Sequence, residues 1–340
     1  MSKNRKNKKQ SKVSKLFSSA KTSRKAKTLF FEEFSAGEIK SNFSKIANHR
    51  YFSDAVDLTL NNKFENTYNA KSPESDLMKS VAWCLGVMKH HQEKIQHVLN
   101  QEDLLRLAIT SEDYSKAITL LNKFDQLCGV SIWSISVRGA LETRMGDHIS
   151  AEDKVSTILG QVKNNGFLSY VVKYSADYFR DDNIYFTSIK THTLDIERSA
   201  HYSVRDFLLY RLFAINADEL YDFESIFNVE KNSSILDIFF LLIEFVAYAI
   251  SPNGKILLGD YPTVRLVKSL NKYFNHPAIE GFANYFGIRT GWKYLKENRK
   301  IIDLYTEGNY TGVCKLANHN GFFSYDLSIV ELIAKADVRS

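Results

Sequence analysis

The sequence has few cysteines, the residues on which disulfides and many metal sites depend. Its 340 residues include only three cysteines, Cys84, Cys128 and Cys314, which lie far apart and show no CxxC or Cys/His spacing. This excludes a disulfide framework and a zinc-finger type of metal site, and it fits a reducing compartment. We therefore expect a cytoplasmic protein that holds no metal.

Several catalytic motifs are also missing. The chain has no HExxH zinc motif, no GxxxxGK[ST] or GxGxxG phosphate loop and no GxSxG nucleophile elbow. We therefore expect a protein that is not an enzyme and uses no cofactor. The alternatives are a site assembled from scattered residues of 165–290, which sequence spacing does not reveal, and a catalytic domain beyond residue 340.

Residues that interrupt helices are scarce. The chain has four prolines and fifteen glycines, while 44% of its residues are hydrophobic. This composition favours long helices around a core over many short turns. No convincing run shows the alternation of apolar and polar residues that is typical of strands. The sequence therefore predicts an all-α fold.

The longest apolar run is too short to cross a bilayer. The segment ILDIFFLLIEFVAYAI (235–250) has fourteen apolar residues among sixteen, whereas a membrane-spanning helix needs about 20. Its two acids, Asp237 and Glu244, are seven residues apart and so share one helix face. This pattern predicts a buried helix with a narrow polar stripe, and we expect no membrane partner.

Positive charge is concentrated at the start of the chain. The first 27 residues contain eleven Lys or Arg and no Asp or Glu, whereas the remainder has 34 basic against 39 acidic residues. Such a run buries too little apolar surface to fold alone, so residues 1–28 are predicted to form a disordered basic tail. Contact with a nucleic-acid backbone, docking on an acidic protein or on the chain's own acidic body, and a role in solubility all remain open. The candidate contacts are Lys3, Arg5, Lys6, Lys8, Lys9, Lys12, Arg24 and Lys25.

A second basic stripe is predicted on a helix near the C-terminus. In RTGWKYLKENRK (289–300), the residues at i, i+4, i+7 and i+11 share one face; they are Arg289, Lys293, Lys296 and Lys300. An ordinary solvated helix face and a contact site for phosphate or an acidic peptide both fit this spacing.

A period of 34 residues is the most informative pattern in the chain. Between 104–124 and 138–158 the matching residues are Asp113 with Asp147, Ala117 with Ala151, and Leu107 with Leu141. Periods of this length are typical of stacked helical hairpins, in which each unit covers the apolar face of the next. A tight turn carrying Asp would join the two helices of a unit, and the small Ala would let them approach closely.

These residues resemble the tetratricopeptide-repeat family. The resemblance rests on the period, on the turns at 112–114 and 146–148, and on the alanine that follows each turn by three residues. LYTEGNYTGVCKLA (304–317) is a further candidate unit, with Val313 at the alanine position. The resemblance implies an α-solenoid and a function in protein–protein contacts. The spacing from Ala151 to Val313 is not a whole number of repeats, so we predict an irregular α-solenoid.

The chain divides into six segments by these criteria. The predicted order is a disordered basic tail (1–28), an N-terminal helical unit (29–60), a polar linker (61–76), tetratricopeptide-like hairpins (77–164), an irregular helical region (165–290), and a C-terminal hairpin with a cap (291–340). The linker is inferred from its polar composition and from Pro73 near its end.

Taken together, the patterns predict a non-enzymatic scaffold or adaptor that binds a protein partner in a concave groove. By the resemblance, the first helix of each hairpin lines that groove, and the candidates are Leu104, Leu105, Ala108, Trp133, Arg138 and Glu142. Proteins of this kind often serve in a multi-protein system, such as a bacterial regulatory or defence system. The alternative is a nucleic-acid-associated protein whose basic tail binds phosphate non-specifically. The oligomeric state is left open by the sequence.

Overall fold

The structure is a computed structural model, and it describes residues 11–58, 72–145, 202–213, 222–251, 254, 263–288, 300–301 and 304–319, with scattered residues between 156 and 200. Every regular element in these ranges is a helix, which confirms the all-α prediction for them. In chain order the helices are α1 (Lys12–Ser19), α2 (Ser23–Glu33), α3 (Ala36–Ala47), α4 (Ser53–Val56), α5 (Leu77–His90), α6 (Gln92–Thr110), α7 (Tyr114–Cys128), α8 (Ile132–Met145), α9 (Tyr202–Phe213), α10 (Phe223–Glu230), α11 (Ile235–Ile250), α12 (Thr263–Tyr273), α13 (Pro277–Tyr285) and α14 (Tyr310–His319).

The first two helices overturn the predicted disorder for residues 11–28. Helix α1 begins at the N-cap Ser11, and its Val13 and Leu16 are buried. Phe17 stacks on His49 with ring centroids 3.6 Å apart. The apolar residues 13, 16, 17 and 20 recur at the spacing of one helix face, and this face supplies the burial that a purely charged segment lacks. Residues 1–10 lie outside the described residues.

Helices α5 and α11 lie at the centre of the core. Helix α5 packs against α3, α6, α10, α11 and α12, and α11 also packs against α8, α10, α12 and α13. Several of these partners come from distant parts of the chain. In a regular solenoid each unit contacts only its neighbours, so nearest-neighbour stacking alone does not describe this core.

The close approach of α3 and α5 depends on a glycine. A Cβ at Gly86 would overlap the ring of Phe43. That ring packs edge-on against the fully buried Trp83, with centroids 5.1 Å apart. The missing side chain therefore sets the spacing between the two helices.

The predicted buried helix at 235–250 is α11. Eleven of its residues are buried, among them Asp237. Glu244 lies at the edge, with 42% of its side chain exposed. The polar stripe predicted from the two acids therefore runs from the interior to the surface. In the part of the chain that the structure describes, no helix has the length and apolar character needed to cross a membrane.

Helices α6 and α7 pack on each other as a helical hairpin, as expected for the first repeat. In the turn, Glu112 adopts a φ of 60°, and the Asp113 carboxylate caps α7 by accepting the Lys116 N–H at 3.1 Å. Ala117 is fully buried. The matching turn at 146–148 lies outside the described residues, so the 34-residue period stays a prediction.

The C-terminal candidate hairpin also contains a turn and a helix. Gly308 has a φ of 74°, and the Asn309 side chain accepts the Gly312 N–H at 2.9 Å near the start of α14. Val313 and Ile301 are the buried centre of a small separate cluster. Residues 320–340 of the predicted hairpin and cap (291–340) and most of the linker (61–76) lie outside the described residues.

Candidate functional site

The residues of α6 that were predicted to line a partner groove differ in exposure. Leu104 is 45% exposed, but Leu105 and Ala108 are 2% and 1% exposed. Adjacent residues on a helix point to different sides, so Leu104 reaches the surface while Leu105 enters the core. Leu105 and Ala108 therefore pack into the core, and the groove that was predicted to include them stays a prediction. The side chain of Glu142 lies outside the described residues.

Two of the three groove candidates on α8, Trp133 and Arg138, pack against the interior. Trp133 is half-buried, and its ring lies 6.3 Å from that of Phe124 and 5.5 Å from that of Phe240. Arg138 is buried and donates to the Asp125 carboxylate at 2.6 Å. The guanidinium is therefore neutralised within the protein, and its assignment to a groove stays a prediction.

The basic residues predicted to contact anions are divided. Lys12 Nζ lies 3.0 Å from the Glu38 carboxylate, so its charge is balanced within the protein. Arg24, Lys25 and Lys300 are exposed, and their contact with an anion stays a prediction. The other candidates lie outside the described residues: Lys3, Arg5, Lys6, Lys8, Lys9, Arg289, Lys293 and Lys296.

A basic surface that was not predicted from the sequence spans α3, α5 and α12. Its five members are all exposed: Lys40, Lys89, Arg265, Lys268 and Lys272. Three of them fall at i, i+3 and i+7 of α12, which places them on one helix face. Helix α12 itself contains no Asp or Glu. An acid-free helix with this spacing was the signal in the sequence that could have identified the surface.

Short contacts show that the basic surface is continuous. Lys40 Nζ of α3 donates to Ser269 Oγ of α12 at 2.9 Å. At the other end, the ring of Tyr273 is flanked by Lys89 Nζ at 5.3 Å and by Lys272 Nζ at 5.6 Å. Cation–π contacts of this length hold ammonium groups over the ring face. The three helices therefore present their charges side by side.

Among the described residues, no carboxylate balances the charges of the basic surface. None of the five side chains forms an ion pair with a carboxylate of the described residues. Clustered charge of one sign raises the local concentration of ions or partners of the opposite sign. The basic surface is therefore suited to an anionic partner.

An apolar groove opens beside the basic surface, between α3, α5 and α12. Its volume is about 210 Å³, and Lys40, Arg265 and Ser269 stand at its polar edge. The apolar part of its lining includes Gly37, Met78, Val81, Ala82, Leu85 and Leu266. Met78 is 40% exposed, so part of its side chain is accessible at the groove. The groove and the basic surface thus form one composite site, in which apolar and cationic groups lie together.

A second cavity is polar and lies between α6 and the start of α13. It measures about 190 Å³, and Glu102 and His276 are part of its lining. Burial lowers the pKa of His276 to about 4, against the opposing effect of Glu102. His276 Nδ1 accepts the Ala278 N–H at 3.3 Å, and Nε2 faces Glu102 Oε2 at 3.8 Å. The Nδ1 atom therefore caps α13, while the ring of His276 faces the Glu102 carboxylate of α6.

Two charged side chains, Arg211 and Asp237, connect helices inside the core. Arg211 of α9 contacts Glu230 of α10 at 2.5 Å and Glu244 of α11 at 3.0 Å. Asp237 caps α8 by accepting the Ile132 N–H at 2.9 Å, and burial raises the pKa of Asp237 to about 7. Because these groups bind one another and the backbone, we assign them a structural function.

Another polar cluster in the core surrounds Lys231, which is fully buried. Lys231 Nζ donates to the carbonyl of Pro73 and to Asn228 Oδ1, both at 2.6 Å. It also lies 5.1 Å from the centre of the Phe31 ring. Burial lowers the pKa of Lys231 to about 8. The lysine thus fastens the chain before α5 to the end of α10. Within the residues described, no group of three or more His, Cys, Asp or Glu side chains could hold a metal ion.

Comparison with known proteins gives no further assignment: no family model, no curated protein and no solved structure matches this chain.

Proposed function

We propose that the protein is a non-enzymatic helical scaffold that binds an acidic partner protein through the basic surface. The observation that carries the proposal is the group of five exposed cations on α3, α5 and α12 that form no ion pair with a described carboxylate. Exposed charges of one sign increase association rates and select partners of the opposite sign. The protein partner expected from the sequence is retained, but its binding site moves from α6 and α8 to this surface.

A protein partner fits the surroundings of the basic surface better than a nucleic acid does. Phosphate binding requires cations, but it makes no use of an adjoining apolar groove. Protein interfaces, in contrast, combine an apolar centre with a polar rim. The apolar groove lies directly against Lys40 and Arg265, which is the arrangement that such an interface requires.

The tetratricopeptide resemblance has a limited place in this proposal. The hairpin of α6 and α7 is compatible with one unit of that family, and we propose that it is a helical-repeat element within a core built by long-range packing. A scaffold of this kind would act as one component of a multi-protein system, of which a bacterial regulatory or defence system is one example.

Binding to model polyanions tests the proposal. We would compare the intact chain with a variant carrying Arg265→Glu, Lys268→Glu and Lys272→Glu, using fluorescence anisotropy with labelled polyglutamate and with short DNA and RNA at low and moderate salt. Each exposed ion pair contributes about 0.2–1 kcal/mol, so the loss of three is expected to weaken polyglutamate binding about 3- to 150-fold.

The matched control reverses three exposed lysines of the N-terminal region. Lys15→Glu, Lys21→Glu and Lys25→Glu change the net charge by the same amount and are expected to leave polyglutamate binding within about twofold. Equal losses in both variants would show that net charge rather than the basic surface drives binding. Tighter binding to DNA or RNA that is lost only in the control variant would favour the nucleic-acid alternative.

A further inference from the structure

The apolar groove exists because small residues stand where its helices come together. Ala36 and Gly37 form the first turn of α3, and Ala82 lies on the facing side of α5. A Cβ at Gly37 would have no other atom within 4 Å, so the space in front of this residue is open. Larger side chains at these positions would close the groove. Its depth is therefore set by the sequence of α3 and α5.

The size of the apolar groove matches one large side chain. Its volume is about 210 Å³, whereas an apolar cavity of about 150 Å³ accommodates a benzene ring. Pockets for whole small molecules are typically about 300–1,000 Å³. The volume therefore favours a single leucine or phenylalanine side chain of a larger partner over a metabolite.

The residues at the floor of the groove are buried in the core, whereas the methionine at its rim is exposed. Val81 and Leu266 are 2% and 3% exposed and belong to the main core. Met78 at the rim is 40% exposed, and the unbranched, polarisable methionine side chain adjusts readily to different apolar surfaces. A firm floor with an adaptable rim is suited to receive an inserted side chain.

Two cations beside the groove favour acidic residues on either side of an apolar side chain bound in it. Lys40 and Arg265 both line the groove, and neither forms an ion pair with a described carboxylate. The hydrogen bond from Lys40 Nζ to Ser269 Oγ, at 2.9 Å, holds one of these charges at the groove edge. Carboxylates on either side of an inserted apolar residue would meet these cations, whereas basic flanks would be repelled.

We infer that the apolar groove receives one bulky apolar side chain of an acidic peptide segment of the partner, while Lys40 and Arg265 contact the flanking carboxylates. This inference rests on the proposed function, because it specifies the chemistry of the partner that the basic surface binds. The recognised segment is a leucine or phenylalanine within a run of Asp and Glu.

Two peptides distinguish the contribution of the apolar groove to binding from that of the surrounding cations. Both are short labelled polyglutamates, one with a central phenylalanine and its twin with glycine at that place. Burial of a phenylalanine side chain is expected to make the first peptide bind about 10- to 100-fold more tightly to the intact chain. A Gly37→Leu variant fills the groove, so it is expected to bind both peptides with the weaker affinity of the glycine twin.

The matched control for the groove variant is Gly281→Leu. Gly281 is also an exposed helical glycine with no atom within 4 Å of a Cβ, but it lies on α13, away from the groove. Both substitutions favour helix formation, and the thermal midpoint of each variant verifies folding. Gly281→Leu is expected to keep the preference for the phenylalanine peptide. A second groove variant, Met78→Asp, is expected to remove the preference as Gly37→Leu does.

The outcomes distinguish the inference from the proposed function. Equal binding of the two peptides to the intact chain, or a phenylalanine preference that survives in Gly37→Leu and Met78→Asp, overturns the inference while the basic surface stands. Absence of binding for both peptides overturns the proposed function, and the inference with it. Loss of the preference in the two groove variants alone supports the inference.

Discussion

Replacement of Arg211 by methionine tests the charged cluster between α9, α10 and α11. The guanidinium contacts Glu230 at 2.5 Å and Glu244 at 3.0 Å, and it also donates to the Asp237 carbonyl at 3.1 Å. The Glu230 side chain is 0% exposed, so without Arg211 it becomes a buried charge that has lost its nearest cation. Removal of one partner from such a pair typically costs about 3–5 kcal/mol.

This loss would be a large part of the total stability, which is about 5–15 kcal/mol for a typical protein. With an m value of about 3 kcal/mol/M, the midpoint of urea unfolding is expected to fall by about 1–2 M. Far-UV circular dichroism measures the transition. The contact with Glu244 adds little to this magnitude, because 42% of that side chain is exposed and water screens it.

A double variant determines whether the buried charge is the cause. In Arg211→Met with Glu230→Leu, the fully buried Glu230 carboxylate is removed together with its cation, so the double variant is expected to be clearly more stable than Arg211→Met. The control Arg265→Met removes an exposed arginine and is expected to change stability by less than about 0.5 kcal/mol. A cost below about 1 kcal/mol for Arg211→Met, or additive costs in the double variant, would refute the reasoning.

Three further predictions concern packing and pH. Leu16→Ala is expected to lower the free energy of unfolding by about 2–4 kcal/mol because α1 is packed on the core. An unchanged midpoint of urea unfolding would instead support the prediction that this segment is disordered. Gly86→Ala is expected to destabilise the protein by about 1–3 kcal/mol because its Cβ meets the Phe43 ring. Gly281→Ala, in open space, is expected to stabilise it by about 0.5–1 kcal/mol. The thermal midpoints of the two variants measure both effects. Burial lowers the pKa of His276 to about 4, so the unfolded state binds the additional proton and stability falls as the pH drops from about 6.5 to about 4. His276→Asn retains a capping side chain for α13 and is expected to show a smaller loss over this range in urea titrations, and an identical pH dependence would contradict the assignment.

The helices themselves could largely be predicted from the sequence, because helix formation depends on local patterns. The buried helix α11 follows from one long apolar run with two acids on one face. The turn before α7 follows from Asp113, whose short carboxylate caps the backbone three residues later. Both signals lie within a few residues of the structure that they specify.

The N-terminal region shows how an average can conceal a local pattern. Eleven basic residues among the first 27 indicate disorder by composition. The apolar residues 13, 16, 17 and 20 nevertheless form one helix face, and the structure buries three of them. A helix needs only such a stripe and a surface to cover, whereas the remaining lysines stay in water at little cost.

The candidate site could not be predicted in this way, because it depends on which distant residues meet. By sequence alone Arg138 and Arg265 are equivalent, each a basic residue on a helix. In the fold, Arg138 is closed against Asp125 at 2.6 Å, while Arg265 stands exposed at the edge of a groove whose other walls come from α3 and α5. The helices follow from period and capping, which act over a few residues. Which charges are neutralised and which are exposed to a partner follows from the packing of distant helices, because Coulomb and packing energies depend on distances between side chains that are far apart in the chain.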